Sequence, residues 1–326
     1  MQKPIRWGIL GPGKIAGSFA RDLALVEGGR LTAVASRNAE RAADFAREFG
    51  AEKSYGSYAE LGGDPDVDIV YIATPHTFHL EHSLQMIRAG KNVLCEKPMG
   101  INQAQVRELV DAAREQGVFL MEALWSRFNP ALVEAARLVG SGEIGKPAYL
   151  KADFAFAALD RDPKGRLLNP ELAGGSLLDI GIYPVFLAYW FLGLPTGFKA
   201  VSHFHDTGVE KQIGLLFEYP QAIALLYSGL SSRSEMRAEI SCEKASLYIE
   251  PRWHETDGFE IDREGEISGV ELPTKGKGYT HEIEEVHSCL LAGELESSRW
   301  SLENSLELHG LLDRIRKECG IRFPGE

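Results

Sequence analysis

Cysteine is scarce in this chain. There are four in 326 residues, Cys95, Cys242, Cys289 and Cys319, and none lies near another. That spacing excludes a CxxC redox centre, a zinc ribbon and a dense disulfide framework, and it suits reduced thiols in a cytoplasmic protein. A basic block is also missing: 35 Lys and Arg face 47 Asp and Glu, a formal net charge of −12. Phosphate neutralisation needs the opposite balance, so nucleic acid is excluded as the main partner. No long apolar run is unbroken. The best candidate, "LLDIGIYPVFLAYWFLGLP" at 177–195, is interrupted by Asp179, Gly181, Pro184 and Gly193. It predicts a buried helix and no membrane partner. The opening "MQKPIRWGIL" lacks a signal-peptide core. Low-complexity tracts and internal repeats are absent too.

What remains is a chain with room for two domains. Short, β-rich, nearly continuous apolar runs occur at 5–10, 31–36, 68–74, 92–95 and 118–121. Helical stretches at 14–27, 39–49, 78–89 and 102–116 separate them, with Asn102 as an N-cap and Gly90 and Gly117 as stops. This alternation predicts a doubly wound parallel sheet, a Rossmann domain over residues 1–122. Residues 123–326 follow another grammar: a helix at 130–139, strand runs from 145 to 250 joined by short turns, then helices at 279–292 and 301–318. Consecutive strands on short turns predict an open antiparallel sheet with helices on one face. The last helix is expected to pack back onto the first domain.

The first strand runs into "GPGKIAG". Gly11, Gly13 and Ala16 match G-x-G-x-x-G/A between a strand and a helix. Gly11 allows the tight turn, Gly13 the approach of a pyrophosphate, and Ala16 close helix packing. The helix start at Lys14 and Ile15 offers free N–H groups to the phosphates. The second strand ends "ASRN", with Ser36 and Arg37 where an NAD-preferring enzyme places an acid. A guanidinium and a hydroxyl suit a 2′-phosphate, so the expected cofactor is NADP(H), held by Arg37 with Arg41 as a second cation, and NAD(H) as the lesser option. Thr74 and Pro75 close the next strand, and His79 follows one turn on; each reads equally as a ribose contact or as a structural residue.

"CEKP" at 95–98 ends the following strand and delivers Glu96 and Lys97 to the same carboxyl edge, where both are candidate cofactor contacts. A lysine there can hold a substrate hydroxyl and lower the pKa of a neighbouring acid, and Pro98 fixes the turn. In "GGSLLDIGIYP", Asp179 and Tyr183 are four residues apart, one helical turn. Tyr183 can exchange a proton if a cation supports its phenolate; the alternative is a packed aromatic and an N-capping aspartate.

Gly11, Gly13 and Ala16, then "ATPHTFH", "CEKP" and "DIGIYP", make the chain similar to the Gfo/Idh/MocA family of nicotinamide-dependent oxidoreductases along essentially its whole length. "MEALWSRFNP", "GGSLLDIGIYPV" and the C-terminal helices resemble most closely its dimeric dihydrodiol dehydrogenase and NADP-dependent D-xylose dehydrogenase branch. The resemblance implies hydride transfer at a CH–OH carbon of a sugar, cyclic polyol or trans-dihydrodiol. It implies Lys97 as a catalytic residue with Asp179 and Tyr183 as partners, and association into a homodimer or larger homo-oligomer through the C-terminal sheet. Many relatives carry histidine at the Tyr183 position, and tyrosine there agrees with the dihydrodiol branch. Trp125, Arg127 and Phe154 are candidates for the wall around a small-molecule substrate. Two competing readings stand beside it: an NADPH-dependent reductase of anhydro or dicarbonyl sugars, which uses the same residues in reverse, and an NADP-binding regulator without turnover, which has no need of Lys97, Asp179 and Tyr183.

Overall fold

The computed structural model describes residues 4–324 and 326. The chain divides into two compact units, Met1–Phe128 with Lys275–Leu306, and Asn129–Thr274 with Glu307–Glu326. The segment Lys275–Leu306, which a boundary near residue 122 assigns to the second domain, thus adds to the first unit.

The first unit holds a parallel six-stranded sheet of β1 (Ile5–Leu10), β2 (Gly29–Ala35), β3 (Lys53–Tyr55), β4 (Ile69–Ile72), β5 (Asn92–Glu96) and β6 (Leu120–Ala123). Its order is β3-β2-β1-β4-β5-β6, the doubly wound order with its reversal between β1 and β4. Helices α1 (Lys14–Leu23), α2 (Ala39–Phe49), α3 (Tyr58–Gly63), α4 (His79–Arg88) and α5 (Gln103–Gln116) join the strands. Trp7, Ile9, Leu10 and every residue of β4 are fully buried, as strands covered on both faces must be. Side chains of Asn38, Ser57 and Asn102 accept N–H bonds at the starts of α2, α3 and α5, and Gly117 ends α5 in the left-handed region. Helix α1 stops short of the predicted residue 27: the N–H groups of Leu25 and Val26 turn back to the carbonyls of Asp22 and Leu23, three residues earlier, and tighten its end.

The second unit opens with α6 (Pro130–Ser141), whose N-cap Asn129 accepts two N–H bonds and donates to Thr256 and Thr274. Strand β7 (Pro147–Ala155) leads to a π-helical turn, Leu177–Gly181, and α7 (Ile182–Leu192). Strands β8 (Gly197–Phe204), β9 (Glu210–Glu218), β10 (Ile223–Gly229), β11 (Ala238–Cys242), β12 (Ser246–Ile249), β13 (Gly258–Arg263) and β14 (Glu266–Glu271) follow. They form one sheet in the order β14-β13-β12-β11-β7-β10-β9-β8. It is antiparallel except where β10 lies parallel to β7. Helix α7 packs on β7 and β10, and α6 on β13. The stretch Pro170–Leu192 is long and apolar enough to cross a membrane, yet 83% of its most apolar window is buried, which makes it a core element of this unit. Along β10, Ala224, Leu226 and Ser228 point into the core while Ile223 and Leu225 are 49% and 43% exposed, so one face of the sheet is covered and the other open.

The chain then returns to the first unit with α8 (Tyr279–Ala292), docked on α1. The Asp22 carboxylate accepts the N–H groups of Lys277 and Tyr279, and the Trp7 indole donates to His287 at 3.0 Å. Helix α9 (Leu302–Cys319) contributes its first turn to this unit and the remainder to the second.

Candidate active site

At the sheet reversal, Gly11 has φ +92°, and a Cβ there would lie 2.8 Å from Thr74 Cγ2 and 3.2 Å from the Ala73 carbonyl. Only glycine fits between β1 and the end of β4. Gly13 is different. It is the extended N-cap of α1, and a Cβ on it would meet only the Gly11 carbonyl oxygen, at 4.0 Å. The space ahead of the helix is open. No side chain caps α1, Lys14 and Ile15 are exposed, and Ala16 is fully buried. An uncapped helix N-terminus before an open approach at the topological switch point fits a pyrophosphate.

Beside it, Ser36 is buried and its hydroxyl accepts the Asn38 N–H at 3.2 Å. That bond shapes the turn ahead of α2 and leaves the Ser36 O–H as a donor. Arg37 is exposed and lies over the Phe78 ring, Cζ 5.7 Å from its centroid. Phe78 stacks in turn on His82, which bonds Thr74 Oγ1 at 3.0 Å. Arg41 is exposed on the first turn of α2, and Pro75 precedes the short turn His76–Phe78. His79 is fully buried, its ring nitrogens each 2.7 Å from a carbonyl oxygen, of Pro98 and of Thr74. It clamps two strand ends and has no surface for a ribose, a correction to its reading as a direct contact.

The turn after β5 is built on buried acids. Tyr71, stacked on Phe19, donates to Glu96 Oε1, and Glu96 Oε2 accepts the Lys97 N–H. Glu96 therefore faces inward, and its expected contact with the cofactor is also corrected. The Met99 N–H donates to fully buried Glu122, which also accepts from Ser305. Burial, with the Glu96 and Asp22 charges nearby, pushes the Glu282 carboxyl well above its usual range. Lys97 precedes a cis bond to Pro98 and is half-buried on this scaffold. Cys95 is buried and burial pushes its thiol up, which removes it as a nucleophile. Trp125 is stacked on Tyr279 at 4.9 Å, and burial, then Arg299, lowers the Arg127 guanidinium to about 10.

In the second unit, Asp179 sits in the π-helical turn, 4% exposed and ion-paired with Arg166, and Tyr183 lies in the first turn of α7, 5% exposed. The Tyr183 ring lies 5.6 Å from Phe154 and 5.4 Å from His254, and Phe154 stacks on His254 at 4.2 Å. Phe154 thus supports Tyr183 as part of an aromatic cluster. Sequence reasoning missed Glu122, Arg166 and His254; no local spacing announces them.

A doubly wound sheet with this glycine turn, and a lysine at an adjoining strand end, define a nicotinamide-dependent oxidoreductase. A model described as oxidoreductase family, NAD-binding Rossmann fold, matches residues 5–124, and a GFO/IDH/MocA C-terminal domain matches residues 132–248. The chain belongs to the Gfo/Idh/MocA oxidoreductase family. It is 39% identical to the trans-1,2-dihydrobenzene-1,2-diol dehydrogenase of Mus musculus and 38% identical to that of Sus scrofa, each over 98% of both chains. It resembles the crystal structure of a 3-ketoreductase from Actinomadura kijaniata in complex with NADP and TDP-benzene (29% identity, TM-score 0.87, covering 97% and 98% of the two chains). It also resembles an aldose-aldose oxidoreductase from Caulobacter crescentus complexed with glycerol (28% identity, TM-score 0.89, 98% of both chains).

Proposed function

We propose that this oxidoreductase uses NADP(H) and acts at a CH–OH carbon of a trans-dihydrodiol, sugar or cyclic polyol. The observation that carries the reading is the Lys97 turn, set on buried Glu96, Glu122 and His79 in the same unit as the open glycine turn. When bound, the nicotinamide supplies the hydride donor or acceptor. Gly11, Gly13 and the α1 start hold the pyrophosphate, with Thr74 and Pro75 bordering the site. Tyr183 exchanges the substrate hydroxyl proton, Lys97 stabilises the negative charge that develops as the proton leaves, and Asp179 orients hydroxyls. Trp125 and Arg127 contribute to the substrate wall. Charge placed this way acts on the transition state more than on the bound substrate.

The test is a panel of trans-dihydrodiols, aldoses and cyclic polyols with NADP, followed at the absorbance of reduced nicotinamide. Oxidation of at least one class is expected; silence across the panel, in both directions of reaction, would sink the enzymatic reading. The reductive direction belongs in the test because a 3-ketoreductase is among the structural relatives.

Exposed Arg37 is the proposed 2′-phosphate ligand. A charge-assisted hydrogen bond contributes about 1.5–3 kcal/mol. Arg37→Ala is therefore expected to raise KM for NADP by roughly ten- to a hundredfold and leave that for NAD nearly unchanged. An equal rise for both cofactors would remove Arg37 from this role.

The open sheet face suits a second copy of the chain. Val201, Ile223 and Leu225 are 67%, 49% and 43% exposed. Ile223 and Leu225 lie on a strand whose alternate residues fill the core, Val201 lies on the edge strand β8, and exposed aliphatic side chains on one sheet face favour association. The proposed state is a cytoplasmic homo-oligomer joined through this sheet.

A further inference from the structure

The motif "GGSLLDIGIYP" carries two proposed functional residues on backbone that ordinary helix rules do not explain. Its π-helical turn has no side-chain cap from its own sequence neighbours. The support comes from β9. Glu210, 1% exposed, takes the Leu177 N–H on its Oε1 at 2.5 Å, and its Oε2 is buried without a hydrogen-bond partner. The same carboxyl occupies the space beside Gly175, whose φ is +121°; a Cβ there would overlap it. Gly174 is walled by the carbonyls of Leu167, Asn169 and Arg166, 2.8–3.0 Å from where a Cβ would stand. Ser176 Oγ lies 3.2 Å from Ser228 Oγ, and a Cβ on Gly181 would come within 2.6 Å of that same Ser228 oxygen. Three glycines of the motif are therefore shaped by what stands against them.

We infer that Glu210 is a positioning residue for the reaction: by accepting the Leu177 N–H and filling the space beside Gly175 it sets the π-helical turn that presents Asp179 and Tyr183. The inference rests on the roles given to those two residues above. A carboxyl that holds an N–H group in a dry site fixes backbone direction more firmly than solvent could, because moving the turn would strand both the donor and the acid. Burial raises the Glu210 acid to about 7, with the Arg316 guanidinium of α9 opposing the rise and the Cys319 thiol also in its field. The neutral acid is thus accessible, and glutamine is its near isostere. Glu210→Gln keeps one carbonyl acceptor in place; Glu210→Ala keeps none.

Amide hydrogen exchange and steady-state kinetics, applied to the full chain, test this. In Glu210→Ala, exchange across Ser176–Tyr183 is expected to quicken at least about tenfold while first-unit peptides keep their rates, an opening of about 1.4 kcal/mol. Its kcat should fall by about tenfold or more with the NADP KM within twofold. Glu210→Gln should restore most of the protection and most of kcat. Wild-type exchange in Ser176–Tyr183 of the alanine variant, or loss in the glutamine variant as deep as in alanine, would overturn the assignment. If alanine unfolds the chain, glutamine decides alone: wild-type-like protection and turnover support the acceptor role, and their loss refutes it. If the wild type oxidises and reduces nothing in the panel, the functional reading fails, and the exchange result still decides whether Glu210 sets the turn.

Discussion

Replacing Lys97 with methionine should cut turnover by about 100- to 1,000-fold, the usual cost of removing one donor that stabilises developing negative charge. NADP affinity should stay within a few-fold of wild type. The separation follows from the architecture of the first unit. The turn that carries Lys97 is set by groups other than its ammonium: Tyr71 holds Glu96, Glu122 holds the Met99 N–H, and His79 reaches the Pro98 carbonyl. Methionine keeps the length and apolar stem of the side chain and leaves those contacts in place. The glycine turn lies at the end of a different strand, β1. What disappears is a cation, so the loss belongs in kcat and not in cofactor binding. Stopped-flow binding of NADPH and initial-rate kinetics measure the two separately. Wild-type turnover in Lys97→Met would remove the lysine from the chemistry, and a parallel collapse of NADPH binding would make it a cofactor ligand.

Much of this scaffold can be read from sequence because burial on both faces leaves a plain mark. The runs containing Trp7, Val34, Val70 and Leu94 are continuous in apolar residues, and they became β1, β2, β4 and β5. Strand β3 left no such mark: it is three residues, Lys53–Tyr55, at the sheet edge, and half its character is polar. The β13–β14 hairpin was hidden by its charge. Its two-residue loop, Glu264–Gly265, has positive φ at both positions, the signature of a tight hairpin, but Glu at the first is an uncommon choice there. Within the site, the glycine turn is legible since local backbone geometry demands particular residues. Side-chain direction is not local. Glu96 and Lys97 are neighbours in sequence, yet Glu96 turns inward to Tyr71. Glu210 meets Leu177 across 33 residues, and Glu122 meets Met99 across 23. Such partners are chosen by packing, after the strands have found their order.

Tyr183→Phe is the sharpest single-atom test, and it should lower kcat by about 100- to 10,000-fold, the range for losing a positioned acid–base group. The ring is 5% exposed and packed beside Phe154 and His254, so phenylalanine keeps the aromatic cluster and the α7 core intact. Only the hydroxyl goes. A fold defect would show as a lowered unfolding midpoint, and none is expected, because the change creates no cavity larger than one oxygen. If the phenol exchanges the substrate proton, the loss appears at every pH, since phenylalanine has no titrating group to restore the path. If turnover instead survives and follows a single ionisation near neutral pH, proton exchange belongs to a histidine, and His254, whose ring stands 5.4 Å from Tyr183, is the first to substitute. The two outcomes assign the acid–base role to different atoms of one aromatic cluster, and the pH profile of a single variant separates them.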